Sequence, residues 1–478
     1  MSTVSDPPSV RPSQSISRRG MLRLTGGALL GAAMLGCGNG SGDKNTLTFM
    51  VAEGQGARAL KPLIAEFMET HPAIKVVYTR VPWDQTHSKL LTTMIGGNPP
   101  DVFALSSPWM AEFRAVGGVE NLKPWYQSWA HKDVYPETIR LWSQAAMAFE
   151  EEDVYGIPLH ASVRAMFYRQ EWLDEHDLKP ASTLMEWRGL LEKLTDKRKS
   201  RYGYAFRGAR GGFFSWWAIA GQFAGTNEWF DADHRCIINS PDHVAGLSFW
   251  NDLYQDGLAP LDAVNWGYTE LVQGFWSGLC GTMEQDPEVI QSCLEHGLDE
   301  STLTTTVMPG GPKARVTYAD MGFVSMAAGS PRKDTAWEFL SWLMAPAQNI
   351  RYCRAINIIP PLKAGLEDPA FGQGLYRPFR DMMTDDTMLP SWSPNYLPEM
   401  GEFLEIRTTE EHQNMLLNKQ SPEETLDRLA DFMTRAEKNI STDTAPIRPD
   451  HPGVHKISLR ITDAESHHRR KICGQNHF

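Results

Sequence analysis

Residues 155–168 read YGIPLHASVRAMFY, a long stretch that is typical of extended chain. We expect this stretch to form a crossover between two lobes of an α/β protein. Successive side chains of an extended chain point to opposite faces, so His160, Ser162 and Arg164 share one face. That face lies either on a cleft or in the core.

The chain before the crossover alternates strand and helix patterns. Strands are predicted at Thr46–Val51, Ile74–Tyr78 and 101–105, and two helices separate them. One helix has apolar residues at 3.6-residue spacing (Leu60, Leu63, Ile64 and Phe67), and the other runs from Trp83 to Ile95. This order implies a parallel sheet in a right-handed α/β lobe. Ligands bind outside the carboxyl ends of such strands, here Ala52-Glu53, Arg80–Trp83 and Ser106–Trp109.

A second α/β set follows the crossover. Helices are predicted near 184–194, from Phe213, from Pro241 and at 269–278, 335–344 and 422–440, with strands near 202–206, 280–283, 304–308 and 316–327. The last helix begins with a capping box in which Ser421 and Glu424 bond each other's backbone. Residues 441–478 mix Pro, His and charges, and we expect a poorly ordered tail there.

The amino-terminal segment has the pattern of an export signal. Arg18-Arg19 precedes an apolar run that is too short for an ordinary membrane span and ends at Cys37. The pair resembles a twin-arginine signal, although Met21 stands where Phe is more usual. Residues 34–37 resemble a lipobox, with cleavage before Cys37 and acylation of that residue. A plain anchor helix is the alternative. The mature chain is then exported and lipid-anchored at the cell membrane, with 38–45 as a flexible tether.

Composition narrows the function classes. The chain has 478 residues, with 46 Lys and Arg against 58 Asp and Glu. The signal holds four basic residues and one acid, so the mature part carries 42 against 57, a charge of −15. Such an acidic chain without a basic stripe is not expected to bind nucleic acid. Five scattered cysteines remain after Cys37, which favours buried thiols, with one disulfide as the alternative.

Several strings in order resemble the family 1 extracellular solute-binding proteins, the receptors of bacterial ABC importers. They are 67–76 (FMETHPAIKV), 97–102 (GNPPDV), the 155–168 crossover, 275–283 (FWSGLCGTM), 309–311 (PGG), 336–340 (AWEFL), 359–361 (IPP) and 421–424 (SPEE). Cys280, Gly281 and Thr282 depart mildly from the usual small residues of the fourth string. The resemblance implies a two-lobed periplasmic-binding-protein-like fold that closes by a hinge on a ligand between the lobes.

The expected domain boundaries follow from this order. Residues 1–36 form the signal and 37–45 the lipidated tether. The N-terminal lobe comprises 46–160 with about 284–327, the C-terminal lobe comprises 161–283 with about 328–440, and 441–478 form the tail.

The candidate ligand-binding residues are aromatic groups that stack on a sugar ring and polar groups that bond its hydroxyls. They are Glu53, Trp83, Ser106, Ser107, Trp109, His160, Ser162, Arg164, Phe214, Trp216, Trp266, Glu284, Asp286 and Asp320. The aromatic residues alternatively belong to the core. Ser107 alternatively caps a helix. Arg164 grips a carboxylate or phosphate of the ligand, or pairs with Asp320.

We therefore expect a monomeric receptor for a mono- or oligosaccharide that delivers its ligand to ABC permease subunits. No catalysis, cofactor or metal is expected, since no nucleophile elbow, P-loop or metal motif is visible. One alternative is the same fold with another polar ligand, such as a sugar phosphate or a polyamine. Another is an exported lipoprotein glycoside hydrolase, which needs two facing carboxylates from among Glu53, Glu284 and Asp286.

Overall fold

The computed structural model describes residues 45–443 except Asp386 and Trp392. The predicted signal, the lipidated Cys37, residues 38–44 of the tether and the tail from residue 444 lie outside the described residues. In the described part, no helix is both long enough and apolar enough to span a membrane.

The first of two main sheets contains the predicted strand–helix–strand–helix–strand unit. Its strands are β1 (Thr46–Ala52), β2 (Lys75–Val81), β3 (Val102–Ser106), β6 (Ile157–Val163), β11 (Val316–Met326) and β12 (Leu389–Ser391). Strand β1 lies between β2 and β3 and pairs parallel with both, as the predicted parallel arrangement requires. Strand β11 pairs antiparallel with β3 and β6 and parallel with β12. The carboxyl ends of β1, β3 and β6 therefore meet at one edge.

The second sheet has the order β10-β7-β9-β8. Its strands are β7 (Ala165–Arg169), β8 (Tyr202–Tyr204), β9 (Cys280–Gln285) and β10 (Leu303–Thr306). A two-stranded hairpin, β4 (Phe149–Glu150) with β5 (Asp153–Val154), precedes the crossover. Arg164 alone separates β6 in the first sheet from β7 in the second. The 155–168 stretch is thus two strands in two sheets, and the predicted crossover is confirmed.

Eighteen α-helices surround the two sheets in the described chain. They are α1 (Gln55–Thr70), α2 (Trp83–Ile95), α3 (Met110–Ala115), α4 (Lys123–Tyr126), α5 (Glu137–Ala145), α6 (Gln170–Glu175), α7 (Leu184–Leu194), α8 (Phe213–Ala224), α9 (Pro241–Gln255), α10 (Tyr268–Trp276), α11 (Glu288–Glu295), α12 (Lys333–Leu343), α13 (Pro346–Ala355), α14 (Lys363–Leu366), α15 (Arg377–Thr384), α16 (Met400–Glu402), α17 (Thr408–Leu416) and α18 (Pro422–Asp443).

Two segments lie with a different sheet from the one expected. Strands β9 and β10 both belong to the second sheet, although β10 falls within the segment assigned to the N-terminal lobe. Helices α12 and α13 pack against α1 beside the first sheet, although they fall within the segment assigned to the C-terminal lobe. The chain thus stays in the first lobe after β11. We propose lobe boundaries that follow the two sheets and not the order of the chain.

Local predictions elsewhere agree with the structure. Ser421 and Glu424 form the capping box of α18, with the Glu424 amide 3.1 Å from the Ser421 hydroxyl and the Ser421 amide 2.8 Å from the Glu424 carboxylate. Four cysteines, Cys236, Cys280, Cys293 and Cys353, are buried free thiols, as the thiol interpretation predicts. The fifth, Cys473, lies outside the described residues.

Candidate ligand-binding cleft

A central cavity of about 180 Å³ lies where the carboxyl ends of β1, β3 and β6 meet the second sheet. The first sheet and its helices contribute Glu53, Trp83, Ser106, Trp109, His160, Ser162, Tyr318, Asp320 and Tyr352. The second contributes Arg207, Phe214, Tyr268, Asp286 and Glu288, and Arg164 stands between the two sheets. The cavity therefore has walls from both halves of the fold.

Asp320 is held by three donors on the first-sheet side of the cavity. The hydroxyl groups of Ser106 and Ser107 donate to its two carboxylate oxygens at 2.7 and 2.5 Å, and the backbone amide of Met321 donates at 2.7 Å. Burial raises the pKa of Asp320, although these bonds oppose the shift. The Ser107 hydroxyl is therefore a carboxylate donor. Its alternative role as a helix cap is wrong, because Ser107 is the first residue inside the 3-10 turn Ser107–Trp109 and Ser106 is at the cap position.

Arg164 occupies the junction between the sheets, with its side chain 5% exposed. Its guanidinium lies 3.8 Å from carboxylate oxygens of Glu284 and Asp286 and 5.2 and 5.4 Å from the ring centroids of Phe214 and Tyr318, which contact each other. Burial works against the charge, but the two carboxylates raise the pKa of Arg164. The pairing of Arg164 with Asp320, one of the two alternatives, is therefore wrong.

Strand register explains why Arg164 pairs with Glu284 and Asp286 and not with Asp320. Asp320 lies opposite Ser162 in the antiparallel pair of β6 with β11, next to the end of β3. Two hydroxyl groups there already donate to its two oxygens. Immediately after Arg164, Ala165 lies opposite Gln285 in the antiparallel pair of β7 with β9 in the second sheet. That register brings the carboxylates on either side of Gln285 to Arg164.

Asp286 and Glu288 form the acidic wall of the cavity. Asp286 accepts a short hydrogen bond from Ser162 across the junction of the sheets, and Glu288 accepts one of 3.0 Å from the Tyr268 hydroxyl. Burial, with the nearby charge of Asp286, raises the pKa of Glu288 to about 7. Glu288 therefore changes its charge near neutral pH.

His160 is a neutral member of the lining. Burial lowers its pKa to about 4, against the opposing charge of Asp286. Gly322 makes room for the ring, because a Cβ at that position would lie 2.6 Å from the imidazole. A neutral imidazole presents one donor and one acceptor, as sugar hydroxyls require.

An aromatic pair and an ion-pair chain close one side of the cavity. The rings of Trp83 and Trp109 stack with centroids 5.1 Å apart. Arg210, in the loop after β8, donates to Asp84 at 3.0 Å and to the backbone oxygen of Trp83 at 3.3 Å. It also bonds Glu405, in the π-helical segment Phe403–Arg407. These contacts thus join the two halves of the fold beside the cavity.

Ten of the fourteen predicted site residues line this cavity, namely Glu53, Trp83, Ser106, Trp109, His160, Ser162, Arg164, Phe214, Asp286 and Asp320. The structure places the other four elsewhere. Ser107 and Glu284 lie behind the lining, beside Asp320 and Arg164. Trp216 is fully buried among the aromatic rings of α8. Trp266 covers Gly274 and donates to Asp262 at 3.1 Å.

The lining also contains polar and aromatic residues that sequence reasoning missed, among them Arg207, Tyr268, Glu288, Tyr318 and Tyr352. Two of them had a usable signal. Tyr318 is two residues before Asp320 on β11, and Glu288 is two residues after Asp286. Arg207 lies in a loop after a three-residue strand, where no periodicity indicates which way a side chain points.

The sequence pattern of the bacterial extracellular solute-binding proteins matches residues 53–350. The chain belongs to that family. A maltotriose-binding protein of Pyrococcus abyssi is 25% identical over 319 residues, which are 65% of this chain and 65% of that protein. This family member thus spans just under two thirds of that relative's length. An uncharacterized lipoprotein of Streptomyces antibioticus is 22% identical over 355 residues, 72% of this chain and 77% of that protein.

Solved structures show the same fold. An ABC transporter solute-binding protein from Thermotoga lettingae, crystallised with α-D-tagatose, superposes with a TM-score of 0.73 at 17% identity. The match covers 82% of this chain and 100% of that one. The predicted family resemblance and the two-lobed α/β fold are therefore confirmed.

Proposed function

We propose that this family member is an extracytoplasmic receptor that binds a carbohydrate between its lobes and delivers it to the permease of an ABC importer. One observation carries the proposal. A single cavity takes its walls from both sheets at the point where β6 passes into β7. A ligand in that cavity contacts both halves of the fold at once.

Such contacts couple binding to closure. A ligand that touches both lobes stabilises the closed form by its differential contacts, and it gains fewer contacts in the open form. The hinge lies at Arg164, between β6 and β7. A permease then distinguishes the two forms by shape, and the receptor acts as a monomer that changes no covalent bond.

The lining has the chemistry of a sugar site. The rings of Trp83 and Phe214 offer flat apolar surface to the C–H face of a pyranose. Asp286, Asp320 and His160 offer hydrogen-bond partners to its hydroxyl groups. This mixture of a few polar groups with aromatic surface is typical of small-molecule sites. The named ligands of the Pyrococcus abyssi and Thermotoga lettingae proteins, maltotriose and tagatose, are also carbohydrates.

The hydrolase alternative has one observation in its favour. Asp286 and Glu288 lie together in the cavity, and the raised pKa of Glu288 is a property of general acids in glycosidases. We nevertheless propose binding without turnover, because the family consists of solute-binding proteins.

The test is a thermal-shift screen of the purified chain against mono- and oligosaccharides, with reducing-end release measured on every ligand that binds. Stabilisation that rises with ligand concentration, without product, supports a receptor. Product formation that Glu288→Gln abolishes would establish the hydrolase. If no carbohydrate stabilises the chain, the ligand is another polar solute.

We also propose that the receptor is exported by a twin-arginine signal and anchored through acylated Cys37. The lipoprotein among its relatives supports this location. Several acyl chains anchor durably, whereas one chain binds reversibly. Cys37→Ser should move the protein from the membrane fraction to the soluble extracytoplasmic fraction. Arg18→Lys with Arg19→Lys keeps both positive charges, so it is the matched test of export, and it should retain the precursor in the cytoplasm.

A further inference from the structure

Two buried arginine side chains face the central cavity with unused hydrogen-bond donors. The side chain of Arg164 is 5% exposed and that of Arg207 is 2% exposed. Among the described residues, Nε of Arg164 and Nη2 of Arg207 have no hydrogen-bond partner. A buried donor without an acceptor is costly. Each guanidinium therefore has binding capacity that the protein itself leaves unfilled.

The neighbouring carboxylates do not fill this capacity. Glu284 and Asp286 each lie 3.8 Å from Arg164, and Asp84 lies 4.0 Å from Arg207, distances beyond an ordinary hydrogen bond. Burial, together with the positive charge of Arg164, lowers the pKa of Arg207 to about 10. The two guanidinium groups thus repel each other across the lining.

The carboxylates of the inner cavity, by contrast, already have hydrogen-bond donors from the protein. Asp320 accepts three hydrogen bonds, Asp286 accepts one from Ser162, and Glu288 accepts one from Tyr268. Protein hydroxyl and amide groups thus serve these carboxylates. Each guanidinium makes one bond within the described part of the protein, from Nη1 of Arg164 to the Ser215 hydroxyl at 3.4 Å and from Nε of Arg207 to the backbone oxygen of Arg210 at 2.8 Å, and keeps one nitrogen without an acceptor. The unpartnered groups of the two arginines are N–H donors, and they suit a ligand group rich in acceptor oxygens.

We propose that the ligand is a sugar carrying an oxyanion, and that Arg164 and Arg207 bind that group. A planar guanidinium presents paired N–H donors that match two oxygens of a carboxylate or phosphate. An oxyanion also relieves the repulsion between the two arginines. The inference rests on the proposed carbohydrate receptor and names its ligand class, an acidic monosaccharide.

The volume of the cavity supports a single ring. A cavity of roughly 150 Å³ holds benzene, and the cavity here is about 180 Å³. One pyranose ring with a carboxylate or phosphate substituent is of this size. Trp83 and Phe214 then face the ring, while the neutral His160 and the carboxylates receive its hydroxyl groups.

The experiment is isothermal titration calorimetry of the full-length chain in detergent. The acidic ligands are D-glucuronate, D-galacturonate and D-glucose 6-phosphate, and the matched neutral ligands are D-glucose and D-galactose. Inorganic phosphate tests the anion without a ring. We expect at least one acidic sugar to bind about 100-fold more tightly than its neutral parent. Binding of a uronate identifies the anion as a carboxylate, and binding of the 6-phosphate identifies it as a phosphate.

Two results would overturn the inference alone, and a third would overturn the proposed function with it. A neutral parent that binds as tightly as its acid overturns the oxyanion assignment and leaves the carbohydrate receptor standing. Inorganic phosphate that binds while no sugar phosphate or uronate does also overturns the assignment, since the ring is then not recognised. If none of the sugars binds, the carbohydrate receptor itself fails and the inference falls with it.

Variants test the two arginines directly. Arg207→Gln should weaken binding of the acidic sugar by about 100-fold while leaving any binding of the neutral parent within about threefold. Arg207→Lys keeps the charge but loses the paired donors, so its loss should be intermediate. The matched control is Arg188→Gln on α7, where the arginine pairs with Glu192 and Asp256 outside the cavity lining. An unchanged acid-to-neutral ratio in folded Arg207→Gln overturns the role of this residue. If that variant does not fold, the wild-type comparison alone decides the assignment.

Discussion

The indole nitrogen of Trp109 donates a hydrogen bond of 3.0 Å to Oε1 of Glu405. Trp109 follows β3 at the edge of the cavity, and Glu405 lies in the π-helical segment Phe403–Arg407. The other carboxylate oxygen of Glu405 binds Arg210, which also holds Asp84 at 3.0 Å. A chain of polar contacts therefore runs from the cavity wall to the contact between the two halves of the fold.

Arg210→Gln should destabilise the closed form. The substitution removes charge-assisted bonds to Asp84 and Glu405, and such bonds contribute about 1–3 kcal/mol each when partly buried. We expect the ligand-free protein to have a larger radius of gyration in small-angle X-ray scattering. We also expect the tightest-binding sugar of the screen to dissociate about tenfold faster in stopped-flow fluorescence.

Arg188→Gln is the control for this prediction as well. Its ion pairs with Glu192 and Asp256 are partly exposed and lie within the second lobe. It should leave the radius of gyration and the dissociation rate unchanged. If Arg210→Gln behaves like this control, the contacts of Arg210 do not govern closure.

Gly211→Ala should displace the Arg207 side chain. Gly211 has a φ of +88°, and an added Cβ would lie 2.4 Å from Cζ of Arg207. Gly117→Ala is the matched control, because Gly117 has a φ of +68° and open space around the new methyl group. Both variants should lose about 1–2 kcal/mol of folding stability from the backbone conformation. Only Gly211→Ala should also lose ligand affinity in calorimetry, and equal affinities in the two variants would contradict this prediction.

Glu288 should make stability fall as the pH rises. Its pKa is raised from 4.5 to about 7 in the folded protein, so between these values the folded chain retains a proton that the unfolded chain has released. The stabilising contribution is complete below pH 4.5 and is lost as the pH rises through 7, by on the order of 3 kcal/mol at most. Glu288→Gln should flatten this part of a urea-unfolding pH profile, because glutamine still accepts from Tyr268. Glu69→Gln, at an exposed position, should keep the wild-type slope.

His412 should make the protein sensitive to acid. Trp250 donates to its Nε2 at 2.9 Å, and burial lowers the pKa of His412 from 6.5 to about 3. The unfolded chain therefore takes up a proton before the folded chain does, so stability is present above pH 6.5 and declines as the pH falls toward 3. The loss is on the order of 5 kcal/mol at most. His412→Gln should reduce the slope in this window, whereas the exposed His176→Gln should not. Equal slopes would place the acid sensitivity elsewhere.

Local patterns predicted the first lobe and the crossover well. The helices and strands between Thr46 and Ser106 follow from apolar spacing, and the capping box at Ser421 follows from two residue types three positions apart. The convergence of Glu53, Trp83 and Ser106 follows from a general property of parallel sheets, that their carboxyl ends share an edge. These features depend on neighbours in sequence or on a rule of topology.

The remaining features depend on contacts that no local pattern encodes. Arg164 meets Asp286 and not Asp320 because of the register of strands far apart in the chain. Helices α12 and α13 belong with the first lobe because they pack against α1 after β11, which is itself a strand of the first sheet. Arg207 reaches the cavity through an irregular loop with a glycine at positive φ. Each of these features depends on which distant segments of the chain pair with each other in the folded protein.

The lack of spare chain between β6 and β7 has a mechanical consequence. Any rotation of one sheet relative to the other must change the backbone torsion angles at Arg164, and the side chain of Arg164 lines the cavity. A ligand that immobilises the Arg164 guanidinium also makes the backbone between β6 and β7 more rigid. Arg164 would thus serve both ligand binding and the relative movement of the two sheets, and a mutation of Arg164 should impair both.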